Sequence, residues 1–186
     1  SALAEDTCVD IDSLSEWAAA GSCIQQDKLW TYGGSDLVAA GGNATTVFTF
    51  LVATQEFHRL QLSDFDDNNG GNTTNGFITG TISNVVNYTI EIVGEPNKYF
   101  KSAAVDSDIL NLNNIVEKTL QPSRGGVEGP IVVLTSDNGS KDIQDCAVCL
   151  PDKIEVLNLS AVTGDGIQTI SDEYVQAGIP EPATAA

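Results

Sequence analysis

The sequence predicts a mainly β fold, an antiparallel β-sandwich of about eight or nine strands with one short N-terminal α-helix. Short runs rich in β-branched and aromatic residues recur along the chain, and clusters of Gly, Asn and Pro separate them. No strand–helix–strand rhythm is present, which disfavours a doubly wound sheet. The 186 residues suit one domain. We expect that domain over residues 1–178, followed by a tail over 179–186.

The one predicted helix spans residues 12–21. Ser13 and Glu16 have the spacing of a capping box, in which the hydroxyl accepts from an orphan N–H and the glutamate reaches back. Gly21 suits the position just after the last turn. Trp17 lies on the apolar face of this helix, so we expect it to anchor the core.

The remaining elements are predicted strands. The clearest alternation lies in residues 87–93, where Tyr88, Ile90 and Ile92 point to one face. In chain order the predicted strands are 28–32, 46–52, 56–62, 75–82 (as an edge), 87–93, 99–105, 115–120, 131–135 and 154–159.

Four cysteines form two local groups, and an even number is typical of disulfides in exported chains. A Cys8–Cys23 bond would staple the helix to the first strand. Cys146 and Cys149 could form a redox pair, but such a pair needs a helix that begins at the first cysteine. Because Pro151 and a strand-like run follow, a structural disulfide is favoured. Cross-pairing between the two groups is an alternative.

The composition excludes one class of partner. The formal net charge is −18, with only eight Lys and Arg, so the surface repels phosphate backbones and nucleic acid is not expected as a partner. No run approaches the roughly 20 apolar residues of a membrane helix. An acidic surface of this kind favours bound cations.

One acidic stretch resembles the start of a calcium loop, because Asp64, Asp66 and Asn68 offer oxygens at alternate positions. The glycine falls one residue late, at Gly70, and Asn75 stands where a bidentate glutamate is needed. The alternative is an Asx-rich hairpin loop. No cofactor is required, and any Ca²⁺ bound here is expected to be structural.

Catalytic motifs are missing from the sequence, which predicts that the protein is not an enzyme. There is no nucleophile elbow, P-loop or H-E-x-x-H sequence. The single histidine, His58, lies in a predicted strand, and we expect a half-exposed structural position for it. A hydrolase with paired carboxylates is a third hypothesis, for which no pair can be chosen among 26 acidic residues.

The sequence Pro180-Glu181-Pro182 resembles the sorting motif of the bacterial PEP-CTERM surface proteins, which exosortases recognise. The opening that runs from Cys8 through Cys23 to Asp27-Lys28 is similar to that of small PEP-CTERM β proteins, although Gln26 replaces an expected glycine. The element Lys141-Asp142-Ile143 also resembles one of the family. The resemblance implies a bacterial protein of the cell surface or extracellular space. Its only link to a membrane would be a C-terminal anchor, which this sequence lacks.

These features lead to two main hypotheses. The first is an exported structural or adhesive protein of a surface or biofilm matrix that self-associates as a homo-oligomer or polymer, in filaments or sheets. The alternative is a calcium-dependent carbohydrate-binding module that binds extracellular polysaccharide. Its binding platform would use exposed Trp30, Tyr32 or Tyr99, with the alternative that at least Trp30 is a core residue.

Overall fold

The protein is a β-sandwich, described from a computed structural model. The structure describes residues 7–52, 56–63, 76–110, 112–146, 150–163 and 166–179. Two α-helices, α1 (Leu14–Ala20) and α2 (Asp36–Ala39), and a 3₁₀ helix (Cys8–Asp10) accompany the strands in the described part of the chain. The strands are β1 (Ser22–Gln25), β2 (Lys28–Gly34), β3 (Thr45–Val52), β4 (Glu56–Ser63), β5 (Asn87–Ile92), β6 (Lys98–Ile109), β7 (Asn114–Arg124), β8 (Val127–Glu128), β9 (Val132–Asp137), β10 (Asp142–Asp145), β11 (Lys153–Thr163) and β12 (Ile167–Gly178).

The strands form two antiparallel sheets. The seven-stranded sheet has the order β1-β2-β5-β11-β7-β8, and β9 also pairs with β7. The five-stranded sheet has the order β10-β6-β12-β4-β3. The predicted fold class is therefore confirmed. Strand β12 lies at the centre of the smaller sheet, so that the last described strand pairs with both β6 and β4.

An aromatic cluster fills the space between the sheets. Trp30 and Tyr88 of the larger sheet and Tyr174 of the smaller one are almost fully buried. The ring of Trp30 lies 5.7 Å from that of Tyr88 and 5.9 Å from that of Tyr174. Trp17 of α1 packs edge-on against Phe48 at 5.2 Å. Rings at these spacings contribute beyond their buried area, and Trp17 is a core residue as predicted.

Helix α1 begins and ends as its sequence indicates. The Ser13 hydroxyl accepts from the Glu16 N–H at 3.2 Å, and the Glu16 carboxylate accepts from the Asp12 N–H at 2.9 Å. Gly21 ends the helix with a φ of +77°, in the left-handed region that glycine tolerates best. The Cys8–Cys23 disulfide, with Cα atoms 4.9 Å apart, is present as predicted.

Eight of the nine predicted strands appear, most of them longer than predicted. The predicted edge strand 75–82 is described only from residue 76, where it makes single bridges at Ile78 and Ile82. Five further elements were not predicted from the sequence, namely β1, β8, β10, β12 and α2. In the part of the chain that the structure describes, no helix has both the length and the hydropathy needed to cross a bilayer.

Candidate functional site

A cluster of charged and amide side chains lies between the sheets at one end of the sandwich. Asp27 lies in the turn between β1 and β2, and the first residues of β2, β4 and β6 are Lys28, Glu56 and Lys98. Gln176 reaches the cluster from β12. The strand ends therefore bring together residues up to 149 positions apart in the sequence.

Asp27 is the centre of this cluster. Lys28 donates to its Oδ1 atom, and the Gln176 amide donates to Oδ2 at 2.9 Å. Lys98 lies 3.5 Å from Oδ2 and donates to both Glu56 oxygens at 3.1 Å. Burial by itself would raise the pKa of Asp27, but these hydrogen bonds and ammonium charges outweigh it and lower the pKa to about 2.

Lys28 is fully buried, which is rare for a lysine. Burial lowers its pKa to about 8, against the opposing effect of the hydrogen bond to Asp27. The two lysines of the cluster balance the charges of Asp27 and Glu56. A buried ion group of this kind fixes geometry more than it stabilises the fold.

His58 lies beside Asp27 and is fully buried, so the prediction of a half-exposed position was wrong. The side chain points inward because it lies in phase with Leu60 and Leu62 along β4. Its Nδ1 atom lies 3.3 Å from the Gln25 Oε1 atom, which assigns the proton to Nδ1. Burial and the charge of Lys28 lower its pKa to about 3, so the ring is neutral at physiological pH.

The atoms of Asp27, Glu56 and His58 could hold a metal ion, since one ligand atom of each lies within 4.8 Å of the others. A cavity of about 140 Å³ opens onto Asp27 and Glu56. Lys28 and Lys98, however, already neutralise both carboxylates. A divalent ion would have to displace at least one ammonium group, so the cluster is complete as an ion-pair network.

The second feature is the open edge of the smaller sheet, strand β3. Its eight residues carry no charge, and neither Gly nor Pro occurs in it. Val47 and Leu51 point outward and are 45% and 54% exposed. Natural edge strands are usually protected by charges, prolines or bulges. Among the described residues, this edge has none of these protections, and only its start is covered, by a bridge between Ser13 and Thr45.

Backbone hydrogen bonding leaves most of this edge open. The Thr46 N–H donates to the Asp12 carbonyl at 3.0 Å, away from β4. By the alternation of an antiparallel ladder, the backbones of Phe48, Phe50 and Val52 face the same way. Among the described residues, no backbone hydrogen bond covers these three N–H groups.

The outer face of the smaller sheet continues this apolar edge. Leu51 lies opposite Phe57, and Phe57 lies opposite Val175 on β12. A shallow groove of about 360 Å³ follows, lined by Val175 and by Ile143, which is 57% exposed. The apolar row therefore runs from the open edge as far as β12, and the next residues in line, Ser102 and Asp145, are polar.

The larger sheet carries a polar cleft of about 370 Å³ on its outer face. Among its lining residues, Glu155 of β11 lies between Gln121 of β7 and Thr89 of β5. Glu91 and Lys153 lie opposite each other in the same cleft. The lining offers carboxylate, amide and hydroxyl groups and no aromatic ring.

The aromatic platform expected for carbohydrate binding is not exposed. Trp30 is fully buried in the interlayer cluster, and Tyr99 is 9% exposed. Tyr32 is half-buried against the Trp17 ring at 5.7 Å. Alternation along β2 already places Trp30 inward with Lys28, so the prediction that these residues form a platform was wrong.

Of the other predicted site residues, some lie in the described part of the chain and some do not. Cys146 is buried, whereas Cys149, its predicted partner, lies outside the described residues. The predicted calcium ligands Asp64, Asp66 and Asn68 and the sorting motif Pro180, Glu181 and Pro182 also lie outside them.

No protein-family model matches this sequence, and no curated protein matches it. Among solved structures, the chain is similar to a family 11 carbohydrate-binding module from Clostridium thermocellum, solved in complex with a β-1,3-1,4-mixed-linked tetrasaccharide. The alignment covers 84% of this chain and 91% of that chain, with a TM-score of 0.30 and 11% sequence identity.

Proposed function

We propose that the protein is an exported structural protein that self-associates through its β3 edge, in the manner expected of a PEP-CTERM-type surface protein. The observation that supports this function is an uncharged, apolar strand with an open backbone at the edge of the smaller sheet. A strand from another chain can add to such an edge, and the main-chain hydrogen bonds supply much of the affinity.

The occupant of the edge is the same strand of a second copy. Antiparallel β3–β3 pairing brings no like charges together, because the strand has none. The pair joins two five-stranded sheets into one, and the outward Val47 and Leu51 side chains of both copies form a single apolar strip. This contact is two-fold symmetric and closes as a dimer. Filaments or sheets need a second surface, for which the groove at Ile143 and Val175 is available.

The charge of the chain sets the conditions for association. A formal net charge of −18 makes two copies repel each other, and dissolved ions screen that repulsion over about 8–10 Å at physiological salt. The Cys8–Cys23 disulfide is typical of proteins that fold in an oxidising compartment. Extracellular fluid supplies both the dissolved ions that screen the repulsion and the oxidising conditions that keep the disulfide.

The test is the oligomeric state of the purified chain, measured by light scattering and sedimentation velocity at physiological salt, with and without a chelator. We expect dimers or larger species for the wild type and monomers for Val47→Lys. The matched control is Val162→Lys, because Val162 has the same 45% exposure but lies on β11, in the interior of the larger sheet.

A second variant separates backbone pairing from side-chain contact. Val52→Pro removes an N–H that faces the open edge and leaves the ladder to β4 intact. We expect it to block association as well. A wild type that stays monomeric in every condition contradicts the proposal, and so does an equal effect of Val47→Lys and Val162→Lys.

Carbohydrate binding is the second candidate, and the polar cleft is the observation that favours it. Carboxylate and amide groups such as Glu155 and Gln121 can orient sugar hydroxyls by hydrogen bonds. Affinity electrophoresis in gels that contain a soluble β-glucan tests this function. Retardation that Glu155→Ala abolishes supports it, with Glu117→Ala on the same sheet as the control. An unretarded wild type contradicts it for that glycan.

A further inference from the structure

Lys118 and Asp172 meet inside the core and belong to neither the charged cluster nor the open edge. Lys118 belongs to β7 of the larger sheet and Asp172 to β12 of the smaller one. Their side chains are 0% and 1% exposed. The Lys118 Nζ atom lies 3.3 Å from the Asp172 Oδ1 atom, so the pair bridges the two sheets.

The surroundings of the pair are dry and aromatic. The Lys118 Nζ atom lies 4.4 Å above the centre of the Tyr174 ring and donates to the Ala104 carbonyl at 3.0 Å. The Tyr88 hydroxyl donates to the Asp172 Oδ2 atom at 2.7 Å and lies 2.7 Å from the Tyr174 hydroxyl. Among the described residues, no hydrogen bond of good geometry reaches the Asp172 Oδ1 atom.

Such a site disfavours charge. Taking an ammonium and a carboxylate out of water costs several kcal/mol per ion. Burial lowers the pKa of Lys118, while the charge of Asp172 opposes that effect. Transfer of one proton from Nζ to Oδ1 gives a neutral amine beside a neutral carboxylic acid, which are the two groups that condense to an amide.

We propose that Lys118 and Asp172 are joined by an intramolecular isopeptide bond. After the proton transfer, the amine nitrogen attacks Cγ of Asp172 and forms the new N–C bond. Oδ1 then leaves as a water molecule, which carries the proton already on Oδ1 and one proton from the nitrogen. The C=O bond to Oδ2 is restored. The step needs no oxidant, reductant or cofactor, and both buried charges disappear.

The core already holds the hydrogen-bond partners of the product. The remaining N–H of the amide can donate to the Ala104 carbonyl, where Nζ already donates. The amide oxygen, Oδ2, keeps the hydrogen bond from Tyr88, which also polarises the carbonyl during the attack. Oδ1, the oxygen that leaves, is the one without such a bond. Fixed proximity in a folded core supplies the large effective concentration that amide formation requires.

The mass of the wild-type chain under denaturing conditions tests the proposal without any variant. We expect a mass lower than that of the disulfide-bonded sequence by one water molecule. Trypsin should fail to cleave after Lys118, and residues 102–124 should be recovered joined to residues 154–186. A full mass with normal cleavage after Lys118 overturns the proposal.

Two further outcomes are decisive. Loss of water elsewhere, for example at the Asp165-Gly166 sequence, lowers the mass but leaves the two peptides separate, and that result also overturns the proposal. Tyr88→Phe keeps the ring but removes the hydroxyl that holds Oδ2. We expect this variant to contain a larger uncrosslinked fraction than a Tyr32→Phe control, in which the changed hydroxyl forms no hydrogen bond to either member of the pair among the described contacts.

Discussion

His58 and Asp27 face each other inside the protein without sharing a proton. The His58 Nε2 atom lies 3.9 Å from the Asp27 Oδ1 atom, and no described residue forms a hydrogen bond with Nε2. Lys28 occupies Oδ1 instead. A buried histidine that stays neutral beside a carboxylate makes the fold sensitive to acid.

The pH dependence of stability follows from this arrangement. The pKa of His58 is about 3 in the folded protein, against 6.5 as its ordinary value. Between these values the unfolded chain binds one proton more than the folded chain, so the free energy of unfolding falls as the pH falls. The slope from this group reaches about 1.4 kcal/mol per pH unit. The pKa of Asp27 is lowered from 3.8 to about 2, so this group causes a further loss of stability as the pH falls between these two values.

The measurement is urea unfolding at several pH values from 7 to 4. We expect His58→Gln to be less stable than the wild type at pH 7 and to lose less stability on acidification. Equal slopes for the two proteins would show that another group controls the acid response.

The disulfide should stabilise the fold measurably. Cys8 and Cys23 are 15 residues apart in the sequence, and a closed loop of that length contributes about 3 kcal/mol, mainly through the unfolded state. The double variant Cys8→Ala, Cys23→Ala should lose about that much in urea unfolding, while Cys146 and Cys149 stay unchanged. Unaltered stability would mean that β1 and α1 hold together without the bond.

Two glycines form a matched pair for a backbone prediction. Gly76 and Gly94 both have a left-handed φ, +71° and +76°. A Cβ atom at Gly94 meets nothing, whereas one at Gly76 would collide with the Ile167 carbonyl. Gly94→Ala should therefore lower the free energy of unfolding by about 1–2 kcal/mol, from the left-handed conformation alone. Gly76→Ala should lower it clearly more, because the collision is added. Thermal unfolding of both variants checks this, and equal midpoints would contradict it.

Salt should strengthen self-association instead of weakening it. The contact strand β3 has no charge, while the whole chain carries −18. Screening therefore removes repulsion and breaks no attractive ion pair. We expect the dimer dissociation constant, measured by sedimentation equilibrium, to fall as NaCl rises from 10 to about 150 mM. A rise over that range would indicate an interface held by complementary charges.

The sequence predicted the fold class and helix α1 because both depend on local patterns. The Ser13–Glu16 spacing and Gly21 fixed the ends of the helix, and alternating strands indicated a sandwich. Strand β12 was missed because its inward face mixes Ile170 with Asp172 and Gln176. That mixture hides the apolar period on which a strand prediction depends.

The site was harder to predict than the fold. The contacts of Asp27 with Glu56, Lys98 and Gln176 join four separate strand ends, and no local pattern records such pairings. One feature of the sequence did indicate a buried polar group, however. Lys118 lies in phase with Val116 and Leu120 along β7, and a lysine on an apolar face is a sign of a buried ion pair or a reactive group.

The central position of β12 has a consequence for how the protein is made. Strands β4 and β6 are joined only through β12, which lies between them. Neither can form its pairing with β12 until residues 167–178 are synthesised. The nascent chain therefore cannot complete its smaller sheet before β12 has left the ribosome. Until then, β4 and β6 each keep one edge unpaired, and unpaired edges of this kind are the places where folding chains pair wrongly with one another.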